Sequence, residues 1–244
     1  MLLAFSAAIF PTQAAPPLRL VVGGEQGDNQ CRYLWGPYLV LHEILSNRLK
    51  VVYTCTALPW ARAQREVENG VYDGFVSILS AERKRYAQAH TIPLFTTKMY
   101  LYMRADDPRR VAFDRHTDLA LLKELHFVTA VGDNWAKTHL QPLGIAIDWA
   151  NGTIGTLKKI ESHRGDVTID TPAAIDPFLI ELGLTEKIVR LNGVIDQADS
   201  FLMLNKSSPY IGLLNDVDKS LKAMKADGSL SKLTKEKTAR PKRH

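Results

Sequence analysis

Residues 50–79 read KVVYTCTALPWARAQREVENGVYDGFVSIL, and the reading of this stretch decides the fold. KVVYTCT, at 50–56, is rich in β-branched residues, which fit a pleated surface better than a helix, so a strand is predicted there. Pro59 presets the φ angle of a first helical turn. The helix it opens runs to Glu68, where Asn69-Gly70 supplies a left-handed stop. GFVSIL, at 74–79, is a second apolar run of strand length. Strand, helix and strand in so short a span imply two parallel strands joined by a crossover helix.

Outward from this unit the same alternation continues. A short apolar run at 18–22 ends in Gly23-Gly24 and reads as a buried strand. Behind Pro37, Tyr38, Leu41, Leu45 and Leu49 recur at helical spacing. Residues 18–79 therefore follow a β-α-β-α-β order, which calls for a mostly parallel sheet with helices on both faces. Farther on, strands are predicted at 100–104, 127–131, 146–148, 167–169, 188–191 and 201–205. Helices are predicted at 119–125, 134–140, 153–163, 172–182 and 209–226. Two α/β units result, with Asp106-Asp107-Pro108 and residues 196–200 as irregular joints.

Composition limits the class of protein. Of 244 residues, 45% are hydrophobic and 23% charged, which excludes a disordered or low-complexity chain. No repeat of solenoid or propeller length is present. The overall charge is +5, yet nine Lys/Arg and two Asp/Glu fall between Lys219 and His244, leaving 22 basic and 24 acidic side chains in the first 218 residues. The basicity belongs to the tail. Lys219, Lys222 and Lys225 have the spacing of a solvated helix face, and no nucleic-acid partner is expected.

The first fifteen residues, MLLAFSAAIFPTQAA, have the apolar segment and small-residue cleavage site of an export signal. The mature chain is expected to start near Pro16. No Lys or Arg precedes Arg19, and a start codon assigned too late accounts for the missing basic segment. Pro11, Pro16 and Pro17 bracket a run too short for a core helix or a membrane span. No cysteine lies at the cleavage point to carry a lipid anchor. No other segment reaches the roughly 18 apolar residues that cross a bilayer. Cys31 and Cys55 suit an oxidising compartment, as one disulfide or as two buried thiols. Neither has histidines nearby at zinc spacing, so no metal and no cofactor is expected.

The string of landmarks LRLVVG, LHEILSNRLKVVYT, LPWARAQREVENGVYDG, SILSAERKRYAQAHTIPLF, MYLYMR, LLKELHFVTAVGDNW, TLKKIESHRGDVTID and SPYIGLLNDVDKSLKAMKADGSLSKLTKE covers almost the whole mature chain. In this order it resembles the type II periplasmic substrate-binding proteins, specifically the polar-amino-acid-binding family of ABC importers. The resemblance implies two Rossmann-like α/β lobes joined by two crossing strands, with ligand in the cleft between them. Residues 16–97 and 206–244 would form one lobe and 98–205, with the crossing strands, the other. It also implies a periplasmic, monomeric protein that closes on its ligand and meets a membrane permease.

Site residues follow from matching those pieces. An aromatic at the start of the helix before the third strand stacks on ligand in the family, and here it is Trp60. Packing in the core is the ordinary fate of a Trp, but the helix-start position favours the cleft. The family arginine that clamps a ligand carboxylate matches Arg83. The spacing onward to residues 91–94 is one residue longer than usual, which keeps Lys84 and Arg85 open for that role. A surface-exposed basic turn is the bland alternative. Ser77 and Ser80 match serines that donate to ligand. Gly132-Asp133-Asn134 stands where the family has a Gly-Thr-Thr-like helix start. Asp133 departs from that pattern and would repel a ligand carboxylate, although both Asp133 and Asn134 also suit an N-cap. Asp170 matches the carboxylate that holds a ligand ammonium, and capping of the next helix is its alternative role. Glu25 is a candidate for a cationic or hydroxylated ligand, with Tyr33 or Trp35 as an opposite wall.

Catalytic signatures are absent from the sequence: there is no Gly-x-Ser-x-Gly elbow, His-Glu-x-x-His, phosphate-binding Gly-Lys-Thr/Ser or Cys-His pattern. The expected function is capture of a small polar, amino-acid-like solute for an ABC importer, and not catalysis. A secreted dehydratase of the cyclohexadienyl or arogenate type on the same fold, or an orphan ligand sensor, is the alternative.

Overall fold

A computed structural model describes residues 16–24, 27–28, 37–115 and 118–236. The chain opens with β1 (Leu18–Gly23), the two-residue β2 (Gly27–Asp28) and α1 (Pro37–His42), which widens into a π-helical stretch at Glu43–Arg48. Next come β3 (Tyr53–Leu58), α2 (Trp60–Glu68), β4 (Gly74–Ile78), α3 (Ala81–Tyr86), β5 (Ala87–Ala89) and β6 (Phe95–Arg104). The middle of the chain forms α4 (Arg110–Phe113), β7 (Phe127–Ala130), α5 (Asn134–His139), β8 (Ile147–Ala150), α6 (Gly152–Glu161) and β9 (Val167–Asp170). It ends with α7 (Pro172–Glu181), β10 (Ile188–Asn205), α8 (Leu213–Ala226) and α9 (Ser229–Glu236).

The strands lie in the order β2-β3-β1-β4-β10-β6-β9-β7-β8, with β5 added against β10. β1 runs parallel to β3 and β4, and β7 runs parallel to β8 and β9. Between these two parallel triplets lie β10 and β6, antiparallel to each other and to their outer neighbours. Two long antiparallel strands therefore carry the chain from one α/β half to the other and back.

Each half-sheet is packed on both faces, as the period-2 alternation of a strand requires. In the first half Leu20 and Val76 face α1 and α8, while Val21 and Phe75 face Ala63 and Val67 of α2. In the second, Leu101, Met103 and Ile169 meet Trp135 of α5, and Tyr102 meets Leu157, Ile160 and Ile175 of α6 and α7. Leu214, Val217, Leu221 and Met224 return the C-terminal helix to the first half. Asp218 fastens it there, accepting from the backbone N–H of Thr91 and Ile92 and from the Thr91 hydroxyl. The outward residues Lys219, Lys222 and Lys225 are exposed.

The stop of α2 forms as its sequence predicts. Gly70 takes a φ of 74°, and the N–H groups of Gly70 and Val71 return to Val67 O and Glu66 O, satisfying the last carbonyls of the helix. Other expectations shift. The strand predicted at 50–56 begins only at Tyr53, and Val52 is exposed. The two strands predicted at 188–191 and 201–205 are one continuous β10. Gly193, Asp196 and Asp199 argue locally against a strand, but pairing with β6 carries the chain through, with bulges between Arg190 and Asp196. Cys55 is disulfide-bonded, while Cys31, the other cysteine, lies outside the described residues. The export-signal segment lies outside them too.

Candidate functional site

The carboxyl ends of the parallel strands in the two halves approach each other. β3 ends at Leu58 just before α2, β4 ends at Ile78, β7 leads into Gly132 and α5, and β9 ends at Asp170. The approach is close: Gln64 Nε2 of α2 donates to Gly132 O at 3.1 Å. A Cβ on Gly132 would stand 3.2 Å from Ala61 Cα, at a φ of +92° that side chains rarely adopt, so glycine is required. Crevices at strand carboxyl ends are where open α/β sheets hold ligands.

On the first half, Trp60 opens α2. Its ring meets Phe75 edge-on at 5.4 Å between centroids, and the Arg83 guanidinium carbon lies 5.2 Å from the Trp60 ring centroid. Ser80 caps α3, accepting from Arg83 N–H at 3.2 Å. This turns Arg83 inward to 2% exposure, whereas Lys84 and Arg85 remain exposed. Arg83 Nε–H donates to Gln64 Oε1 at 3.0 Å, and Nη1–H donates to Ile78 O at 3.0 Å. Burial lowers the guanidinium below its usual pKa, opposed by the nearby charges of Tyr86, Asp133 and Glu82. An arginine remains charged all the same. Ser77 shares a face of β4 with Phe75, the ring that Trp60 touches, and is partly exposed.

On the second half, Asp133 is the N-cap of α5. Its Oδ1 accepts from Ala136 N–H at 3.0 Å and its Oδ2 from the Thr129 hydroxyl at 2.7 Å. Burial raises its pKa, and these hydrogen bonds and the Arg83 charge work against the rise. Asn134 follows, with Nδ2 buried and without a hydrogen-bond partner among the described residues. Asp170 accepts from Thr171 N–H at 2.7 Å. Burial first, and the charge of Asp133 second, push it up to about 7, although solvent still reaches part of its surface.

Trp60, Ser77 and Arg83 thus stand on one edge and Asp133, Asn134 and Asp170 on the facing edge. Glu25, Tyr33 and Trp35 lie outside the described residues. Gln64 and Thr129 were not singled out from the sequence. Gln64 follows Trp60 by four positions on α2, so helical spacing alone puts both on one face. A surface depression of about 480 Å³ lies elsewhere, lined by Arg110, Asp114, Arg115 and Asn192, and contains none of these groups. No group of three or more His, Cys, Asp or Glu among the described residues is placed to hold a metal ion. No helix of the described residues is long and apolar enough to cross a membrane.

Comparison with known proteins gives one consistent result. Residues 38–237 match the family described as bacterial extracellular solute-binding proteins, family 3. The L-cystine-binding protein TcyJ of Bacillus subtilis is 27% identical over 164 residues, which are 63% of this chain and 56% of that protein. The chain thus spans little more than half the length of this relative. Among solved structures, an ancestral arginine-binding protein bound to glutamine superposes with a TM-score of 0.70 at 14% identity, covering 92% of this chain and 98% of the other. The ancestral amino acid-binding protein AncCDT-1, a precursor of cyclohexadienyl dehydratase, gives a TM-score of 0.66 at 19% identity, covering 90% and 94%.

Proposed function

The chain belongs to the bacterial extracellular solute-binding proteins, family 3, and from that premise we propose that it captures a small polar, amino-acid-like solute for an ABC importer. The observation that carries the reading is the hydrogen bond from Gln64 to Gly132 O. It joins two α/β halves across a crevice that has Trp60 and Arg83 on one side and Asp133 and Asp170 on the other. Such a crevice supplies what a solute needs on leaving water: a flat aromatic surface, a fixed cation and carboxylates, all in surroundings that strengthen polar contacts. The lobes are read as 16–97 with 206–244 and as 98–205. Their hinge motion would bury the ligand and present the closed form to a permease. A periplasmic location, export by the N-terminal segment and a monomeric state belong to the same proposal.

The test is calorimetric titration with the standard amino acids and L-cystine, the last because of the named relative. Saturable one-to-one binding without turnover is expected, and absence of binding by folded protein overturns the reading. One observation favours a second reading. An Asp170 carboxyl with a pKa of about 7 is protonated often enough to serve as a general acid, and a neighbouring structure is a dehydratase precursor. Product formation from prephenate or arogenate would decide for the enzyme.

A further inference from the structure

We propose that Gln64 is a positioning residue of this cleft: its one amide aims the Arg83 guanidinium at an anionic ligand group, a carboxylate, and is itself aimed by the facing half. The inference rests on the solute-binding reading above and assigns a part to a further residue of that same site.

Arg83 is 2% exposed, and its partners at contact distance are neutral. Gln64 Oε1 takes Nε–H at 3.0 Å, Ile78 O takes Nη1–H at 3.0 Å, and the Trp60 ring centroid lies 5.2 Å from the guanidinium carbon. A planar fork held at two nitrogens and against a ring keeps one orientation. Among the described residues Nη2 makes no hydrogen bond, and it is left to donate. A buried cation with only neutral contacts gains from an anion that arrives with the ligand, and a carboxylate suits the donors of a guanidinium. Asp133 of the facing half is engaged by its own helix and strand, accepting from Ala136 N–H at 3.0 Å and from the Thr129 hydroxyl at 2.7 Å.

The Gln64 amide serves its two partners in one orientation only. Arg83 offers nothing but donors, so Oε1 must face it, and Gly132 O can only accept, so Nε2–H must face that. The two contacts agree, and each fixes the amide for the other. Gly132 leaves the amide its place, because a Cβ there would stand 2.8 Å from Gln64 Nε2. Approach of the second half therefore pins the amide, and the pinned amide holds the guanidinium. A glutamate in this position would neutralise Arg83 at contact and turn a second acceptor toward Gly132 O.

The experiment titrates the full chain calorimetrically with L-cystine and the standard amino acids, then compares each one that binds with its carboxamide, as in L-arginine with L-argininamide. Wild type should prefer the carboxylate by roughly tenfold or more, the worth of one charge-assisted hydrogen bond. Gln64→Glu should abolish that preference, because Arg83 then has its anion already. Gln64→Met, which keeps the length of the side chain and removes its amide, should lower the preference by roughly threefold to fivefold. The readout is a ratio, so a variant that only weakens the fold or the closed form lowers both ligands alike and leaves it unmoved. An unchanged preference in either folded variant overturns the role given to Gln64. Equal binding of carboxylate and carboxamide by wild type overturns the inference and leaves the solute-binding reading standing. If folded wild type binds none of these solutes, the solute-binding reading itself falls, and this inference with it.

Discussion

Arg83 and Arg104 are both buried, at 2% and 9% exposure. Arg104, at the end of β6, donates to Ile160 O and Gly165 O at 3.1 and 2.8 Å and to Asp107 Oδ2 at 3.3 Å. Asp166 lies 3.7 Å from the same guanidinium, and Arg109 completes the cluster through both acids. Around Arg83 the contacts are a neutral amide, a carbonyl and an aromatic ring. The difference separates two uses of one residue type. Arg104 is neutralised at contact distance within its own half and holds loops together. Arg83 has only neutral partners at contact distance, and one of them, Gln64, also bonds the other half.

The acids repeat the contrast. Hydrogen bonds from Arg109 hold Asp107 below the usual carboxylate range. Burial pushes Asp166 upward, but hydrogen bonds from Arg109 and His126 N–H and the nearby arginine charges leave it below that range. At the cleft, Asp133 and Asp170 are both raised. Clustered ion pairs stabilise the fold, whereas the cleft carries charge at a cost to it.

The largest expected effect comes from breaking the paired side. Arg104→Met takes a donor from Gly165 O and one of the donors from Ile160 O, leaves Asp107 and Asp166 with less compensation, and should cost about 3–5 kcal/mol in urea denaturation. Arg83→Met takes the donor from Gln64 Oε1 and Ile78 O, both neutral, and should cost about 1–2 kcal/mol on the same scale. Equal losses would erase the distinction drawn between the two arginines.

A smaller effect sharpens the comparison of the acids. The folded-state pKa of Asp170, about 7, lies above the ordinary carboxylate value, so the folded protein binds this proton more tightly than the unfolded chain does. Its stabilising contribution is therefore complete in acid and is lost as pH rises from about 4 to about 7. Asp107 and Asp166, whose pKa values are lowered, behave in the opposite way: their contribution is present above about 4 and disappears below it. Denaturation of wild type and Asp170→Asn between pH 4.5 and 8 should show the wild type losing roughly 2 kcal/mol relative to the variant, an allowance for partial solvent access included. A difference that does not vary with pH would remove Asp170 from the crevice interior. His90 is a further titratable group that adds to the pH dependence. Its Nε2 accepts from Leu202 N–H, and burial lowers its pKa. That contribution is common to both proteins and cancels in the difference.

Much of this arrangement was legible in the sequence where the local signal and the tertiary role coincide. Pro59, the Asn69-Gly70 stop and the GFVSIL run define α2 and β4 by propensity alone, so the strand–helix–strand unit and the place of Trp60 at a helix start could be read directly. Which of Arg83, Lys84 and Arg85 turns inward was not legible, because three adjacent cations look alike until the Ser80 cap fixes the helical phase. β10 was read as two strands because its middle residues have poor strand propensity and only the long-range partner β6 holds them extended. The ion cluster around Arg104 stayed hidden for the same reason. Its members, Asp107, Arg109 and Asp166, meet only after the chain has folded back some 60 positions. Side-chain matching brought Trp60, Arg83, Asp133 and Asp170 together, but it could not supply Gln64, whose significance depends on how near the two halves come.

Gln64 offers the subtlest way to separate the two arginines. Every contact of Arg104 described above stays within the second half, so changing it should lower stability and leave the spacing of the halves alone. Gln64 instead gives Oε1 to Arg83 in the first half and Nε2–H to Gly132 O in the second. Gln64→Ala removes the one direct hydrogen bond described across the crevice and frees Arg83 Nε–H at the same time. The expected cost is about 1 kcal/mol, charged to the closed arrangement and hardly at all to the fold, because either half keeps its own core. That corresponds to roughly a fivefold shift toward open forms. Distances between fluorophores placed on the two halves should lengthen on average in the ligand-free variant, while its urea midpoint changes little. Arg104→Met should give the reverse pattern. If Gln64→Ala lowers the urea midpoint without altering the distances, the amide is a packing element of the first half and not a tie between the two.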